Sequence, residues 1–407
     1  MLDAPGRGSL DQRFDILHDM CLIMTSTIRT FFLAVIVTGL IACGDSSSSP
    51  AVDSPDAICP FGVGHSSFNV VDPARDDRPL LVDAWYPVDA ADAQESPLTE
   101  YPLADPLTLP SEVAIDDLPV SARSVQTLLV FSHGYQGINI QSFELMEALA
   151  SHGFIVISPE HTGNAQASPT DTFDEAASKR VPDVSFLIDM MFARNRDPED
   201  PFYGRIDEES VGVVGHSFGG MTAIGMASGW AGAKPDPRVT AIAPISAVID
   251  GEMQSDERPS PYAGFTEEQL SSITVPVMLI GGTEDINVPI GNNALAFAQL
   301  INASRVYKVD VIGATHNHFA AICPIADTLI AFGLGPEAWP GLGAEALIEP
   351  YETTCGPDVF PIEEATRLQN LYVVSFFKWH MLNASGYDRY LTTEFADTEP
   401  AITLSVK

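Results

Sequence analysis

VGVVGHSFGGMTAIGMA, residues Val211 to Ala227, is the stretch that decides how this chain reads. A run of valines stops at Gly215, Ser217 stands between His216 and Phe218, and Gly219 and Gly220 open a segment rich in alanine and methionine. A short valine run bounded by glycine suits a strand covered on both faces. The small residues after it suit a helix packed closely on that strand. At such a sharp turn a serine is pushed out above the sheet, where a carbonyl carbon can approach. The turn crowds the positions two before and two after the serine, so Gly215 and Gly219 fit where a Cβ would not, and Gly220 adds room where helix crosses strand. A serine hydroxyl is a poor nucleophile at neutral pH and needs a base within hydrogen-bond reach. A bare G-x-S-x-G is weak evidence; its place between a buried strand and a small-residue helix makes it a nucleophile elbow.

Three further pieces lie on either side. Upstream, the apolar run Thr127–Phe131 ends in Ser132-His133-Gly134-Tyr135. A turn there can aim a backbone N–H at the serine, and the amides of Tyr135 and Phe218 are the predicted oxyanion hole. The His133 side chain reads as a structural histidine bonded inside its own loop. Downstream, Pro276–Ile280 runs into Gly281-Gly282-Thr283-Glu284-Asp285. An acid at the tip of a late strand is where the orienting carboxylate belongs; Asp285 fits, with Glu284 as its rival. The next strand leads to Gly313-Ala314-Thr315-His316-Asn317-His318. His316, at the start of that loop, is the predicted base. His316 and His318 as a metal pair is the competing reading, without an obvious companion ligand cluster. No metal or organic cofactor is expected. The order Ser217, Asp285, His316 is that of one hydrolase fold.

With these residues in place the chain resembles an α/β-hydrolase, and within that fold the platelet-activating-factor acetylhydrolase and dienelactone-hydrolase-like group. Gly-His-Ser-Phe-Gly-Gly, Ser-His-Gly-Tyr, the Trp85-Tyr86-Pro87 turn, Glu160-His161, Gly-Gly-x-x-Asp and Gly-Ala-x-His carry the likeness, which runs from about Phe61 to Tyr390. It implies acyl hydrolysis by a Ser217–Asp285–His316 triad. Tyr135 stands where the acetylhydrolases have an aliphatic residue, which bears on the size of the acyl pocket. The chain is also similar to bacterial polyester hydrolases, but lacks their Gly-Trp-Ser-Met-Gly elbow. The dienelactone hydrolases usually carry a cysteine nucleophile where this chain has serine.

The rest of the pattern agrees with one α/β domain over residues 58–407. Strands are predicted at 80–85, 127–131, 154–158, 211–214, 239–244, 275–280 and 305–311, and helices at 141–151, 176–194, 220–229 and 370–382. Their alternation argues for a mostly parallel central sheet with helices on both faces. Residues 319–364 read either as a helical excursion over the site or as a long connection.

Among 407 residues, 20 Lys and Arg face 55 Asp and Glu, a formal charge of −35. Such a polyanion is repelled by nucleic acid, whose binding needs basic residues. The first 42 residues read as a leader: Phe31–Ala42 is apolar, follows Arg29 and is too short to span a bilayer. Leu40-Ile41-Ala42-Cys43 resembles a bacterial lipobox, which implies a lipidated Cys43, a Ser-rich tether over 43–57, and a lipid-anchored place in the cell envelope; plain secretion is the alternative. The long acidic stretch before Met24 makes Met24 the natural start. Export permits disulfides; Cys323 with Cys355 is the preferred pair, and pairing of Cys59 with either stays open.

The function read from these residues is a serine carboxylic-ester hydrolase acting on short-acyl, neutral, small-molecule or lipid-like esters through an acyl-enzyme. Two other readings use the same scaffold: a lipid-tethered binding protein without catalysis, or a hydrolase of amides or lactones.

Overall fold

The computed structural model describes residues 53–58, 61–89, 92, 96–254 and 260–407. The leader, Met24, Cys43, Cys59 and most of the tether lie outside the described residues. The tether's last residues sit on the domain rather than beside it: the Ala57 carbonyl takes a hydrogen bond from His152 (2.9 Å), and Asp56 pairs with Arg367.

In chain order the strands and helices are β1 (Gly62–Asp72), β2 (Arg78–Val88), β3 (Glu100–Ala104), β4 (Leu107–Pro110), β5 (Ala114–Asp116), β6 (Gln126–Ser132), α1 (Phe143–Ser151), β7 (Phe154–Glu160), α2 (Phe173–Arg196), β8 (Ile206–His216), α3 (Phe218–Ser228), β9 (Val239–Ile245), α4 (Glu267–Ser272), β10 (Val277–Gly282), α5 (Gly291–Gln299), β11 (Val306–Val311), α6 (Ile322–Ala331), α7 (Ile348–Thr354), α8 (Ile362–His380), α9 (Thr393–Ala396) and β12 (Ile402–Val406). Ten strands form one sheet in the order β12-β11-β10-β9-β8-β6-β7-β2-β1-β5. The six from β11 to β7 are parallel, and β12, β2 and β1 add antiparallel edges.

The buried apolar runs become the parallel centre for a packing reason. In β6, Leu129 and Phe131 face one core, with α1 and α8, while Leu128 and Val130 face the other, with α2 and α3. A strand covered on both faces has no polar alternation to show. The outer strands β1 and β12 are only half-covered over much of their length and carry too few apolar residues to stand out in the sequence.

The segment after residue 319 is a helical excursion. It comprises α6, two 3₁₀ turns at Pro336–Leu342 and Glu345–Leu347, and α7. Its own small core is built on Trp339, Ala326 and Leu329, with Leu107 of β4 against it. Cys323 and Cys355 are bonded across its base. Among the described residues no helix is long and apolar enough to cross a membrane.

Parallel β6, β8, β10 and β11 end at the same edge of the sheet. The four loops singled out in the sequence follow those ends, the usual place for a site in an α/β sheet.

Candidate active site

Ser217 joins β8 to α3 with φ 57° and ψ −118°, a conformation that L-residues rarely hold. The turn is pinned by the Ser217 N–H donating to the Ile245 carbonyl at 2.8 Å. Both elbow glycines are required sterically. A Cβ on Gly219 would lie 1.7 Å from the Ser132 carbonyl oxygen, and one on Gly215 would lie 2.4 Å from the Gly219 carbonyl oxygen. Gly220 would bring a Cβ to 2.9 Å from Ala247, so it lets α3 lie against the strand ends. Ser217 is left half-buried at the top of this turn.

The acid and the base meet directly. His316 Nδ1 lies 2.7 Å from Asp285 Oδ2. The other carboxylate oxygen accepts the amides of Asn287 (3.0 Å) and Val288 (2.7 Å), so the loop after β10 fixes the acid's orientation. Glu284 takes no part in this pair.

Two residues, His216 and Gln141, tie His316 to the elbow. The His216 ring lies 4.5 Å from the His316 ring, and its Nε2 donates to the His316 carbonyl at 3.0 Å. Its Nδ1 accepts from Gln141 Nε2 at 2.7 Å, and Gln141 Oε1 accepts the Gly134 amide at 2.9 Å. Gln141 thus links the loop after β6 to the elbow, and through His216 to the base. Burial, and after it the nearby His316, hold His216 well below the ordinary histidine value. It stays neutral against the His316 ring. No hydrogen bond joins Ser217 Oγ to His316 among the described residues; such contacts commonly tighten only with substrate present.

The loop after β6 brings Gly134 against the serine: a Cβ there would stand 3.6 Å from that of Ser217. Phe218 opens α3, so its N–H has no carbonyl one turn earlier within the helix. The rings of Tyr135 and Phe218 pack edge to face at 5.4 Å, with Phe173 beside both. His133 is fully buried and bonded within its loop, Nδ1 to the Gly134 carbonyl at 2.7 Å, while its Nε2 accepts the His161 amide. His316 and His318 point to different partners. His318 is bonded to Thr315 and to the Phe360 carbonyl. Among the described residues no group of three or more His, Cys, Asp or Glu is placed to hold a metal.

Behind this loop lies a sealed polar cluster. Arg180 of α2 is fully buried and reaches the Ser132 hydroxyl and the carbonyls of His133 and Gly134. His161 lies 3.1 Å from Ser132 Oγ through Nε2 and 2.9 Å from Asp183 Oδ2 through Nδ1. Burial alone would raise the Asp183 carboxyl, but hydrogen bonds from Arg78 and His161 outweigh it and hold the group well below the carboxylate range. Burial, with Arg180 close by, draws His161 down to about 3. Arg180, Asp183 and Gln141 escaped the sequence reading. A signal was present: α2 buries Ala176, Ala177, Val184, Leu187 and Ile188 along one stripe, and Arg180 and Asp183 fall on that stripe. Charged residues on an apolar stripe are rarely buried without partners.

A chain with this sheet order, a strained serine at a strand-to-helix turn and an Asp–His pair in the loops after β10 and β11 meets the fold's definition. The chain has the α/β-hydrolase fold.

The comparisons agree. The chlorophyllase family matches residues 118–290, which include the elbow and Asp285. Cutinase 2 of Thermobifida cellulosilytica is 27% identical over 190 residues, 46% of this chain and 59% of that protein. Cutinase cut1 of Thermobifida fusca has the same identity over the same length and is covered to 49%. The chain therefore spans about half the length of these relatives. The ferulic acid esterase of Streptomyces cinnamoneus superposes with a TM-score of 0.56 at 21% identity, over 88% of this chain and 98% of that one. That likeness bears on the α/β-hydrolase fold, not on the substrate.

Proposed function

We propose that this α/β-hydrolase is a serine carboxylic-ester hydrolase. The observation that carries the reading is the strained, half-buried Ser217 at the elbow, whose neighbour His216 packs at 4.5 Å on a His316 ring that Asp285 orients at 2.7 Å. His316 takes the Ser217 proton as the hydroxyl attacks the ester carbonyl. Asp285 holds the tautomer and stabilises the imidazolium. The amides of Tyr135 and Phe218 receive the developing oxyanion, His316 protonates the leaving alcohol, and water repeats the sequence to release the acid. The cutinase likenesses support an ester substrate.

Within that class we favour short-acyl, neutral esters of the kind acetylhydrolases take. The Tyr135–Phe173–Phe218 rings beside the two amides support a small acyl group, and a charge of −35 disfavours anionic esters at low salt. Export with a lipid on Cys43 is part of the same proposal; palmitate labelling that survives Cys43→Ser would remove the anchor.

The deciding test is a fluorophosphonate probe on the purified protein, with the modified peptide mapped. Labelling at Ser217, lost in Ser217→Ala, is expected. An unlabelled Ser217 would instead favour a binding protein on a hydrolase scaffold. A panel of p-nitrophenyl esters then reads acyl length; faster turnover of an anionic ester than of its neutral analogue at low ionic strength would overturn the charge argument.

A further inference from the structure

A buried arginine is costly, and among the described residues no carboxylate contacts Arg180 directly to offset it. Its ion-pairing neighbour on the helix, Asp183, is bonded instead to Arg78, Arg75 and His161. Arg180 spends its donors on neutral groups: the His133 carbonyl at 2.6 Å, the Gly134 carbonyl at 2.9 Å, Ser132 Oγ at 3.0 Å and Asn164 Oδ1 at 2.6 Å. Its plane also lies over the Phe218 ring at 4.8 Å. All of these contacts except the one to Asn164 belong to the two segments that frame Ser217.

The Gly134 carbonyl is the informative partner. It shares one planar peptide with the Tyr135 N–H, and in a trans peptide the two point in opposite directions. Gripping the carbonyl on the α2 side therefore turns the N–H toward the opposite side of the loop. Ser217 lies against this same loop: a Cβ built on Gly134 would stand 3.6 Å from that of Ser217. The adjacent peptide is held from both ends as well, its carbonyl by Arg180 and the Gly134 amide by Gln141. A cation on a peptide oxygen also polarises the amide and strengthens its N–H as a donor.

We propose that Arg180 is a positioning residue for the oxyanion hole. Its guanidinium fixes the Gly134–Tyr135 peptide so that the Tyr135 amide faces the reacting carbonyl oxygen, while the Ser132–His161–Asp183 chain braces the guanidinium from behind. This rests on the ester-hydrolase reading above. It also accounts for a buried guanidinium that packing alone would replace with an apolar side chain.

The test compares Arg180→Met, which keeps the stem and removes the donors, with Arg180→Lys, which keeps the charge but cannot bridge both carbonyls. Purified full-length proteins are assayed on p-nitrophenyl acetate, with fluorophosphonate titration of active sites and an alkyl trifluoromethyl ketone as a tetrahedral mimic. Loss of one oxyanion donor costs on the order of 10²- to 10³-fold in turnover. Arg180→Met is expected to lose about that factor in kcat with KM within threefold, and to bind the ketone more weakly by the same factor. Arg180→Lys is expected to recover part of both. If Arg180→Met does not fold, Arg180→Lys carries the test through the parallel change in kcat and ketone affinity. Folded variants with wild-type kcat per active site and wild-type ketone affinity, at whatever melting temperature, would make Arg180 a structural residue only. Wild-type protein that neither labels nor hydrolyses would remove the ester-hydrolase reading, and this inference with it.

Discussion

The molecule contains the same trio of side chains twice. Ser217, His316 and Asp285 lie at the strand ends, and Ser132, His161 and Asp183 lie a short way behind, within the α2 face of the core. The histidine meets its acid through the same atoms in both, Nδ1 to Oδ2, at 2.7 Å in the first and 2.9 Å in the second. The inner set even has the shorter serine link, with Ser132 Oγ 3.1 Å from His161 Nε2. The two sets differ in access and backbone. Ser132 is 0% exposed in regular strand backbone, whereas Ser217 is half-buried at a positive φ. The inner carboxylate is held by arginines, the outer one by backbone amides. Three residue types at hydrogen-bond distance do not make an active site. Access and a strained backbone do, and the inner trio is a brace.

Ways to break this contrast begin with the serines. Ser217→Ala is expected to cost up to about 10⁶-fold in kcat on p-nitrophenyl acetate with the fold intact. Ser132→Ala should cost under about tenfold in kcat and instead lower stability by roughly 1–3 kcal/mol in urea unfolding, because it strips a partner from buried His161. Equal kinetic losses in the two variants would sink the distinction.

The acids sharpen it next. Asp285→Asn should lower kcat by about 10⁴-fold through the wrong imidazole tautomer, with little change in melting temperature. Asp183→Asn should do the reverse, costing roughly 3–5 kcal/mol because Arg78 loses its buried counter-charge.

Acid unfolding separates the two histidine environments. His161 is drawn down to about 3, so the unfolded chain binds the extra proton first. Its contribution is complete above the ordinary histidine value and is lost as pH falls from there toward 3. His161→Gln should flatten that part of the stability–pH curve; an unchanged slope between pH 6.5 and 4, values chosen around the ordinary histidine range, would contradict the burial argument.

The smallest effect tests a buried acid outside both trios. Burial pushes Glu147 up to about 7, although Ser111 and Tyr101 both donate to it. Here the folded chain holds the proton more tightly, so stability falls as pH rises from the ordinary carboxyl value to about 7. Glu147→Gln, which keeps an acceptor for both donors, should gain about 1–3 kcal/mol at neutral to alkaline pH and almost nothing in acid. A gain of the same size at both extremes would assign it to packing.

Much of the frame was legible because the central strands announce themselves. Val211–Val214 and Phe154–Ser158 are buried on both faces, and continuous apolar runs need no context to be read. The elbow was legible because its glycines are dictated locally by backbone crowding. The loops carrying Asp285 and His316 were placed by their position after such strands. By contrast, β12 was missed because ITLSV is a half-covered edge strand with little apolar signal. The excursion between Phe319 and Glu364 stayed open because its helices are short and their core around Trp339 is assembled from distant residues. Gln141 was invisible since an amide in a loop has no pattern, and its value lies wholly in the two partners it joins.

By itself the sequence determined the α/β alternation, the serine at the turn and the order of the chemistry-bearing loops, because periodicity and glycine crowding are local properties of the chain. Only the tertiary structure decided that His316 meets Asp285 and that Cys323 joins Cys355. It alone showed that Arg180 and Asp183 lie buried behind the loop after β6, where Arg180 holds backbone carbonyls and Asp183 holds the side chains of Arg78, Arg75 and His161. Those outcomes depend on which distant groups share a low-dielectric interior, and burial and pairing across it have no signature in residue spacing.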